Sequence, residues 1–429
     1  MKTYNKPNKS KWAILSKRPI IDEGELNKKV NIIINEVKRN GDKALIKYAK
    51  MFDNVELNQL TVSQQEIEKA YNNVSQKLKD AIQIAYTNIY KFHKAQQIKE
   101  EVIETTPGVK CWRKSIAIEK VGLYIPGGSA PLFSTILMLG IPAQIAGCKE
   151  LVLCTPPNKN DKINPAILYT ANLVGIHKIY KAGGAQGVAA MAYGTETIPQ
   201  VYKIFGPGNQ YVTKAKELVQ QTGVAIDMPA GPSEVLVIAD NTANPAFVAA
   251  DLLSQAEHGA DSQVILLSDD ENMIKQCLKE VNIQVALLPR KEIALKALVN
   301  SKAIILNDLN KCISFSNQYA PEHLIIASLK ANELVDKITN AGSVFLGNYS
   351  CESAGDYASG TNHTLPTNGY AKNYSGVSLD SFVKKITFQK LSKEGIKNIG
   401  KSIEIMAEAE ELMAHKNAVT LRLKEINND

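Results

Sequence analysis

Short apolar segments alternate with helical ones between residues 116 and 346, and this alternation constrains the fold most. Strands separated by helices of about three turns are typical of parallel βαβ units. The predicted strands are 116–125, 151–154, 178–180, 201–205, 224–227, 234–239, 263–268, 302–306 and 343–346. The predicted helices are 134–146, 164–174, 185–193, 211–221, 245–257, 270–281 and 309–319. Because the alternation restarts near residue 234, we expect an α/β fold with two Rossmann-like parallel-sheet domains.

The two ends of the chain have a different pattern. Residues 1–110 are expected to be mostly helical, with apolar residues at helical spacing over 26–48 and 63–92 and a capping box of Ser63 and Glu66. Residues 384–427 begin with a short strand and continue as a charged helical arm. The expected bounds are 1–21 for an N-terminal extension, 22–123 with 234–380 for the first α/β domain, 124–233 for the second, and 381–429 for the C-terminal arm.

Composition excludes several classes of protein. The 429 residues carry a net charge of +7, but Lys and Arg mostly alternate with Asp and Glu. We therefore expect no nucleic-acid binding, whereas a small acidic ligand such as a phosphate-bearing cofactor fits the charge. No apolar run is long enough for a membrane span, and the region around Ile14 lacks the apolar stretch of a signal peptide. A cytoplasmic protein is expected.

The six cysteines show no CxxC spacing. Cys148 and Cys154 lie in apolar runs, so we interpret them as small core residues rather than metal ligands or disulfide partners. A nucleophilic cysteine is the alternative, and only Cys351, beside Glu352 in a polar loop, has a suitable neighbourhood.

Three glycine-rich loops each follow a predicted strand and precede a predicted helix. They are 124–131, 183–187 and 206–209. Backbone N–H groups at such helix N-termini can bind the phosphates of a dinucleotide. None is a complete G-x-G-x-x-G fingerprint, and glycine in a strand-to-helix turn is often a matter of geometry alone. Three loops in one domain leave nucleotide binding and a structural role about equally supported.

Four of the six histidines lie in polar clusters with acids or amides. The clusters are Gln255 with Glu257 and His258, Glu322 with His323, Asp356 with His363, and Glu410 with His415. Imidazoles and carboxylates are costly to bury unless they bind something, so these clusters are candidates for metal binding and proton transfer. The alternatives are a capped helix end at His258, a polar helix end at His323 and a mobile turn at 356–363.

A rigid turn, Asp227-Met-Pro-Ala-Gly-Pro-Ser233-Glu234, separates the two α/β runs. It is either a simple crossing between domains or a substrate-contacting loop. The second interpretation rests on the rule that ligands bind between domains and outside the carboxyl ends of strands.

These segments, in this order, closely resemble the histidinol dehydrogenase family from about residue 20 to the C-terminus. The matching motifs are Gly-Leu-Tyr124-Ile-Pro-Gly-Gly-Ser-Ala-Pro, Gly-Gly-Ala-Gln186, Phe-Gly-Pro-Gly-Asn209, Met-Pro-Ala-Gly-Pro-Ser233-Glu-Val, Gln255-Ala-Glu-His258-Gly, Ala-Pro-Glu322-His323-Leu, Gly-Asp356-Tyr-Ala-Ser-Gly-Thr-Asn-His363 and Ala-His415-Lys-Asn-Ala.

The resemblance implies an enzyme that oxidises L-histidinol to L-histidinal and then to L-histidine with two NAD⁺ and one Zn²⁺ per subunit. It implies a homodimer with a shared active site, in which the arm of one chain supplies a ligand to the other. The implied zinc ligands are Gln255, His258, Asp356 and His415, the last from the partner chain.

The resemblance also implies roles for the remaining positions. His323 would act as general base on the substrate hydroxyl, and Glu322 would activate the water that attacks the aldehyde. The implied substrate contacts are Ser233, Gln255, His258, His323, Asp356, His363, Glu410 and His415. The implied NAD contacts are Tyr124, Gln186 and Asn209, one in each glycine-rich loop.

Other interpretations and positions stay open. A zinc hydrolase, in which Glu322 activates water and the glycine-rich loops are structural, and a non-catalytic metabolite-binding paralogue are the alternatives to the dehydrogenase. Glu257 and Glu352 have no assigned role. His93 and His177 fall outside the motifs and are expected to be structural or on the surface.

Overall fold

Fourteen strands and fifteen α-helices lie within residues 1–19, 23–127 and 131–428, the part of the chain that this computed structural model describes. The strands are β1 Lys2–Asn5, β2 Val102–Thr106, β3 Val109–Ala117, β4 Lys120–Tyr124, β5 Glu150–Thr155, β6 Lys178–Lys181, β7 Lys203–Phe205, β8 Ala225–Ile226, β9 Glu234–Ala239, β10 Gln263–Ser268, β11 Lys302–Ile305, β12 His323–Ala327, β13 Ser343–Leu346 and β14 Val383–Leu391. The helices are α1 Trp12–Leu15, α2 Glu23–Tyr48, α3 Gln64–Asn73, α4 Gln76–Lys94, α5 Phe133–Ala146, α6 Pro165–Leu173, α7 Gly184–Tyr193, α8 Gln210–Gln220, α9 Pro245–Ala256, α10 Glu271–Val285, α11 Lys291–Val299, α12 Leu309–Tyr319, α13 Glu352–Tyr357, α14 Lys393–Ala409 and α15 Met413–Asn428.

The first parallel sheet has six strands in the order β1-β11-β10-β9-β12-β13. Every residue of β9 and β10 is buried, as expected for strands covered on both faces. Helices α9, α10 and α11 pack on the face that contains Val235 and Val237. Helix α12 and Trp12 pack on the opposite face, which contains Leu236 and Ile238.

The second parallel sheet has five strands in the order β6-β5-β4-β7-β8. Helices α2, α7 and α8 form one core with its buried strand residues. Two parallel sheets with helices confirm the predicted α/β class with Rossmann-like layers. The strand 234–239, the strand 263–268, the helix 309–319 and the strand 343–346 have the predicted bounds.

By its internal contacts the chain divides into two units. The first is Met1–Ala95 with Ile118–Ser381, and it contains both parallel sheets. The second is Gln96–Ala117 with Phe382–Asp429. In it, β14, β3 and β2 form an antiparallel sheet, and α14 packs against α15. The expected bounds of the two α/β domains stay a prediction, and their first boundary, at 21–22, lies outside the described residues.

Several predicted elements were wrong in detail. The predicted strand 116–125 is two strands, because β3 pairs with β14 in the antiparallel sheet and β4 joins the parallel one. The helical stretch 63–92 breaks into α3 and α4, because Ser75 caps a second helix. The predicted capping box of Ser63 and Glu66 is confirmed. Strands β1 and β2 interrupt the region that was expected to be mostly helical.

Helix α2 contains a kink at Gly41, whose φ of +50° is strained for other residues. The carboxylate of Glu196 accepts a hydrogen bond from the Asp42 N–H at 2.8 Å, in the space that a side chain at position 41 would need. This contact anchors α2 beside the second parallel sheet. No helix of the described residues is both long and apolar enough to cross a membrane.

Candidate functional site

A cavity of about 1360 Å³ lies at the carboxyl ends of β4, β5, β6 and β7. Its wall includes Tyr124, Gln186 and Asn209, the three positions that sequence reasoning assigned to NAD. Lysines also line it, namely Lys29, Lys47, Lys159 and Lys162. The volume exceeds the roughly 300–1,000 Å³ of a typical small-ligand pocket, so the cavity has room for a dinucleotide.

The glycine-rich loops are held in place by specific bonds. The Tyr124 hydroxyl accepts a hydrogen bond from the Gly184 N–H at 2.9 Å. The Asn209 side chain caps α8 by accepting from the N–H groups of Tyr211 and Val212. The first bond joins the loops that follow β4 and β6, and the cap fixes the loop that follows β7 to the start of α8. Residues 128–130 of the first loop lie outside the described residues.

A buried ion pair stabilises the third glycine-rich loop, residues 206–209. Lys216 and Asp227 are in direct contact, and both side chains are almost fully buried. Lys216 donates to the Gly206 carbonyl at 2.9 Å, and Asp227 accepts from the Gly206 N–H at 2.9 Å. The carbonyl of Gly206 is thus bound by the cation of this pair and its N–H by the anion. Gly206 has a φ of +125°, and the backbone of Tyr124 occupies the space that a side chain at this position would need.

A second cluster of polar residues lies at the amino ends of β9 and β12, in the other parallel sheet. Gln255 is buried in the last turn of α9, and His258 follows two residues beyond the helix. The Gln255 amide nitrogen lies 2.9 Å from His323 Nδ1. His323 Nε2 lies 3.4 Å from Asp356 Oδ1. One buried imidazole thus connects the end of α9 with α13.

Glu322 and His323 stand at the start of β12, not at a helix end, so the polar-helix-end alternative is wrong. Helix α12 stops at Tyr319, and Ala320 turns the chain with a φ of +56°. Glu322 Oε2 accepts the N–H of Glu234 at 2.8 Å, and His323 Nδ1 lies 3.2 Å from the Glu234 carbonyl. The N–H and the carbonyl of Glu234 therefore orient both side chains. Glu322 Oε2 and His323 Nδ1 lie 3.7 Å apart.

The electrostatics of this cluster follow from burial and from several close carboxyl groups. Burial raises the pKa of Glu322 to about 8. Burial alone would lower the pKa of His323, but the surrounding carboxylates, led by Glu352, raise it to about 10. The pKa of Asp356 is lowered because its contact with His323 outweighs burial. In the protein without bound ligands, therefore, the carboxyl groups of Glu352, Glu322 and Asp356 stabilise the protonated form of His323.

Arg18 neutralises the side chain of Glu234 from the N-terminal segment. Its Nε and Nη2 donate to the two carboxylate oxygens at 2.5 and 2.8 Å, and its guanidinium lies 3.8 Å above the ring of Tyr319. The N–H of Asn368 donates to the same carboxylate at 2.9 Å. The Glu234 side chain is almost fully buried and that of Arg18 is mostly buried, which makes the loss of either one costly.

Arg18→Met is therefore expected to lower the free energy of unfolding by about 3–5 kcal/mol, because it leaves a buried carboxylate without its cation. Urea unfolding followed by circular dichroism measures the loss. Lys29→Met is the matched control, because it breaks the exposed ion pair with Glu25 and should leave the unfolding midpoint unchanged. A midpoint for Arg18→Met equal to that of the control would show that the Arg18–Glu234 pair contributes little.

His363 connects the polar cluster with the cofactor-sized cavity. Its Nδ1 lies 2.9 Å from the Asp356 carbonyl and its Nε2 3.1 Å from Thr135 Oγ1. Thr135 is in the first turn of α5, and Pro131, four residues earlier, lines the cavity. The two groups of candidate residues are therefore neighbours within the first unit.

Two predicted site residues belong to the second unit. Glu410 follows α14 and His415 lies in the first turn of α15, and both are exposed there. Their contribution to a site shared between chains stays a prediction.

Ser233 lies beside the polar cluster, and its contact with a substrate stays a prediction. It directly precedes β9, so it lies at the amino end of a strand of the first sheet, next to Glu234. The rule that ligands bind at carboxyl ends fits the glycine-rich loops but not this cluster. Helix α9 runs back along β9, so its last turn brings Gln255 and His258 to the amino end of that strand.

Among the other histidines and the cysteines, the structure places most as expected. His93 is buried between the Ile89 carbonyl and the Asn362 amide, and His177 is exposed. Cys154 is buried, Cys148 is partly buried and Cys351 is exposed.

Sequence reasoning missed the parts played by Arg18, Glu234, Thr135 and Glu352. Only Glu352 had a local signal, because its spacing of four residues from Asp356 places both on one face of a helix. The others reach the cluster through contacts between residues that are far apart in the sequence: Glu234 with Glu322 across 88 residues, Arg18 with Glu234 across 216, and Thr135 with His363 across 228.

A dinucleotide-sized cleft on one parallel sheet and a buried His–acid cluster on the other are together typical of an α/β enzyme. The family model for histidinol dehydrogenase matches residues 16–423. Histidinol dehydrogenase of Bacteroides thetaiotaomicron is 59% identical over 423 residues, covering 99% of each chain, and that of Campylobacter jejuni serotype O:2 is 54% identical over 424 residues, covering 98% of each.

A solved structure agrees with these sequence comparisons. The crystal structure of histidinol dehydrogenase from Elizabethkingia anophelis is 64% identical, with a TM-score of 0.97, covering 100% of this chain and 99% of that one. The chain belongs to the histidinol dehydrogenase family, whose members are oxidoreductases of histidine biosynthesis.

Proposed function

We propose that the chain oxidises L-histidinol to L-histidinal and then to L-histidine, the last two steps of histidine biosynthesis, with two NAD⁺ and one Zn²⁺ per subunit. The observation that carries the proposal is the meeting of Glu322 and His323 with His258 and Asp356 at one end of a sheet, in a chain of this family. Two proton-transfer groups beside metal-ligand donors suit a reaction of two steps.

The donor set fits zinc. Gln255, His258 and Asp356 supply an amide oxygen, an imidazole nitrogen and a carboxylate, and Asp356 Oδ1 is buried without a hydrogen-bond partner among the described residues. His415 of the partner subunit would complete the set in a homodimer. Bound zinc would serve as a template and Lewis acid for the amino and imidazole nitrogens of the substrate.

His323 would act in the first oxidation. Its Nδ1 faces the Glu234 carbonyl, and its Nε2 has no hydrogen-bond partner among the described residues, so Nε2 is the atom that can take the proton of the substrate hydroxyl. A cation bound among the nearby carboxylates would reduce the negative charge that stabilises the imidazolium, as a base requires.

Glu322 would act in the second step. One carboxylate oxygen is held by the Glu234 N–H, which leaves Oε1 to take a proton from water as its oxygen bonds to the aldehyde carbon. NAD⁺ bound by Tyr124, Gln186 and Asn209 would accept a hydride in each oxidation. Ser233, His363 and Glu410 would contact the substrate, the last from the partner subunit's arm.

The test is an assay of purified protein with L-histidinol and NAD⁺, followed by NADH absorbance. Sustained NADH formation that a chelator stops and Zn²⁺ restores would support the proposal. A protein that forms no NADH under these conditions is not this dehydrogenase, and the zinc hydrolase then becomes the stronger hypothesis.

Tyr124→Phe is expected to weaken NAD⁺ binding about tenfold, because it leaves the Gly184 N–H at the cavity wall without its acceptor. Isothermal titration calorimetry with NAD⁺ measures the change. Tyr202→Phe is the matched control, because Tyr202 is half exposed and does not line the cavity. Equal NAD⁺ affinity in the two variants would remove Tyr124 from the cofactor site.

A further inference from the structure

Glu352 is a buried acid to which neither the family motifs nor the proposed mechanism gives a role. It is the first residue of α13, and its side chain is 1% exposed. Asp356 lies four residues later, so one helical turn presents both carboxylates on the same face. Burying a carboxylate is costly unless a cation or several hydrogen-bond donors compensate it. The groups around Glu352 therefore indicate what its carboxylate could bind.

Within one chain, Glu352 is compensated mainly by the charge of the buried His323 imidazole and by one weak hydrogen bond. The hydroxyl of Ser254 donates to its Oε2 across 3.5 Å, a long and weak bond. The acids Asp356, Glu322 and Asp251 also act on Glu352 by their charge, so the imidazole of His323 faces several carboxyl groups. Such a concentration of acids favours a cation between them.

The geometry indicates where a cation would bind. A ring nitrogen of His258 and carboxylate oxygens of Glu352 and Asp356 all lie within 4.8 Å of one another. Bonds of about 2.0–2.1 Å to a tetrahedral zinc ion would bring such donors to about 3.4 Å apart, a distance that side-chain rotation can reach. One imidazole and two carboxylates are ordinary ligands for this ion.

A second observation points to the same place. His323 is 3% exposed, and its Nε2 has no hydrogen-bond partner within the described ranges. This nitrogen faces Asp356 Oδ1, which is also buried and without a hydrogen-bond partner there. The two atoms form a long ion pair with each other but no hydrogen bond, and buried polar atoms without a hydrogen bond are rare in proteins, with a bound ion as one common reason.

We propose that His258, Glu352 and Asp356 form a metal-loading site within one chain, in which Glu352 is a ligand for a zinc-like divalent cation. The proposal rests on the metal dependence proposed above and adds one residue and an order of events. The cation binds these three donors first, and Gln255 and His415 of the partner subunit then complete the final coordination. Glu352 would therefore matter most when the partner's His415 is absent.

The experiment measures binding of Zn²⁺ alone by metal-depleted full-length protein, using competition with a chromophoric chelator. Removing the partner's donor with His415→Ala should weaken binding without abolishing it. Adding Glu352→Gln to that variant should weaken binding at least about tenfold further, since a ligand has been lost. Co²⁺ absorption spectra of the same variants give a second measure, because their intensity depends on the coordination geometry.

Glu257→Gln in the His415→Ala background is the matched control. It removes the same charge beside His258 but lies outside the three-donor group, so its Zn²⁺ affinity should equal that of His415→Ala. Glu352→Asp, which keeps the charge but shortens the side chain, should give an intermediate affinity and covers the case in which Glu352→Gln does not fold.

Two outcomes would overturn the proposal. One is complete loss of Zn²⁺ binding in His415→Ala, and the other is equal affinity of His415→Ala with and without Glu352→Gln. Neither outcome bears on whether the wild-type protein forms NADH from L-histidinol, so failure of the loading site and failure of the proposed function are distinguishable.

Discussion

Glu322→Gln is expected to slow the oxidation of L-histidinal about 10²- to 10⁴-fold, the usual contribution of a general base, while oxidation of L-histidinol continues. The amide keeps an oxygen that can accept the Glu234 N–H, so the position of the side chain is preserved. It cannot take a proton from water, so the aldehyde hydrate forms more slowly. His323→Ala is expected to do the reverse, because it removes the base that takes the hydroxyl proton in the first oxidation.

Rapid-quench experiments with each substrate separately measure the two half-reactions. Glu333→Gln, the same change at an exposed position eleven residues along the chain, should leave both rates unchanged. Near-ultraviolet circular dichroism and metal content of the variants show whether the site is intact. If Glu322→Gln and His323→Ala lose the same half-reaction, the division of roles between adjacent residues is wrong.

Mixing two inactive variants should restore activity if the site is shared between chains. His258→Ala and His415→Ala each disable both sites of a homodimer in which one chain supplies the body of a site and its partner supplies the arm. A heterodimer of the two contains one site with both defects and one intact site, so about half of the wild-type activity per dimer is expected from its symmetry. Its zinc content should recover in the same proportion.

The control for this mixture is His258→Ala with Asp356→Asn. Both residues belong to the body of the site, so every site of that heterodimer keeps one defect and no activity should return. Separately tagged chains, purified through both tags, give dimers of known composition. Absence of recovery in verified heterodimers of His258→Ala with His415→Ala would place all four ligands in one chain.

The layers of the fold could be predicted because apolar periodicity is a local property. The buried strands β9 and β10 are bounded by polar or turn-forming residues, and their bounds matched. Strand β12 was not predicted, because Pro321, Glu322 and His323 make its start look like a polar helix end. Only its pairing with β9 and β13, which are distant in the sequence, makes it a strand.

The candidate site was predictable only in part. The motifs around His258, His323 and Asp356 named the residues, but spacing could not show that they meet, since α9, β12 and α13 are distant in the sequence. The contacts that hold the site residues in place could not be predicted for the same reason. Arg18, for example, binds Glu234 from 216 positions away in the sequence. The sequence placed Glu352 within a motif but did not show that its side chain is buried. Its proposed role depends on that burial, which only the folded chain reveals.

The central claim is a two-step oxidation at one site, and its most direct test is the ratio of products. Purified protein would be given limiting L-histidinol with excess NAD⁺, with NADH measured by absorbance and L-histidine by amino-acid analysis. Two NADH for each L-histidine, with no L-histidinal released, is the predicted result. One NADH for each L-histidinol consumed, with L-histidinal accumulating and no L-histidine formed, would contradict it.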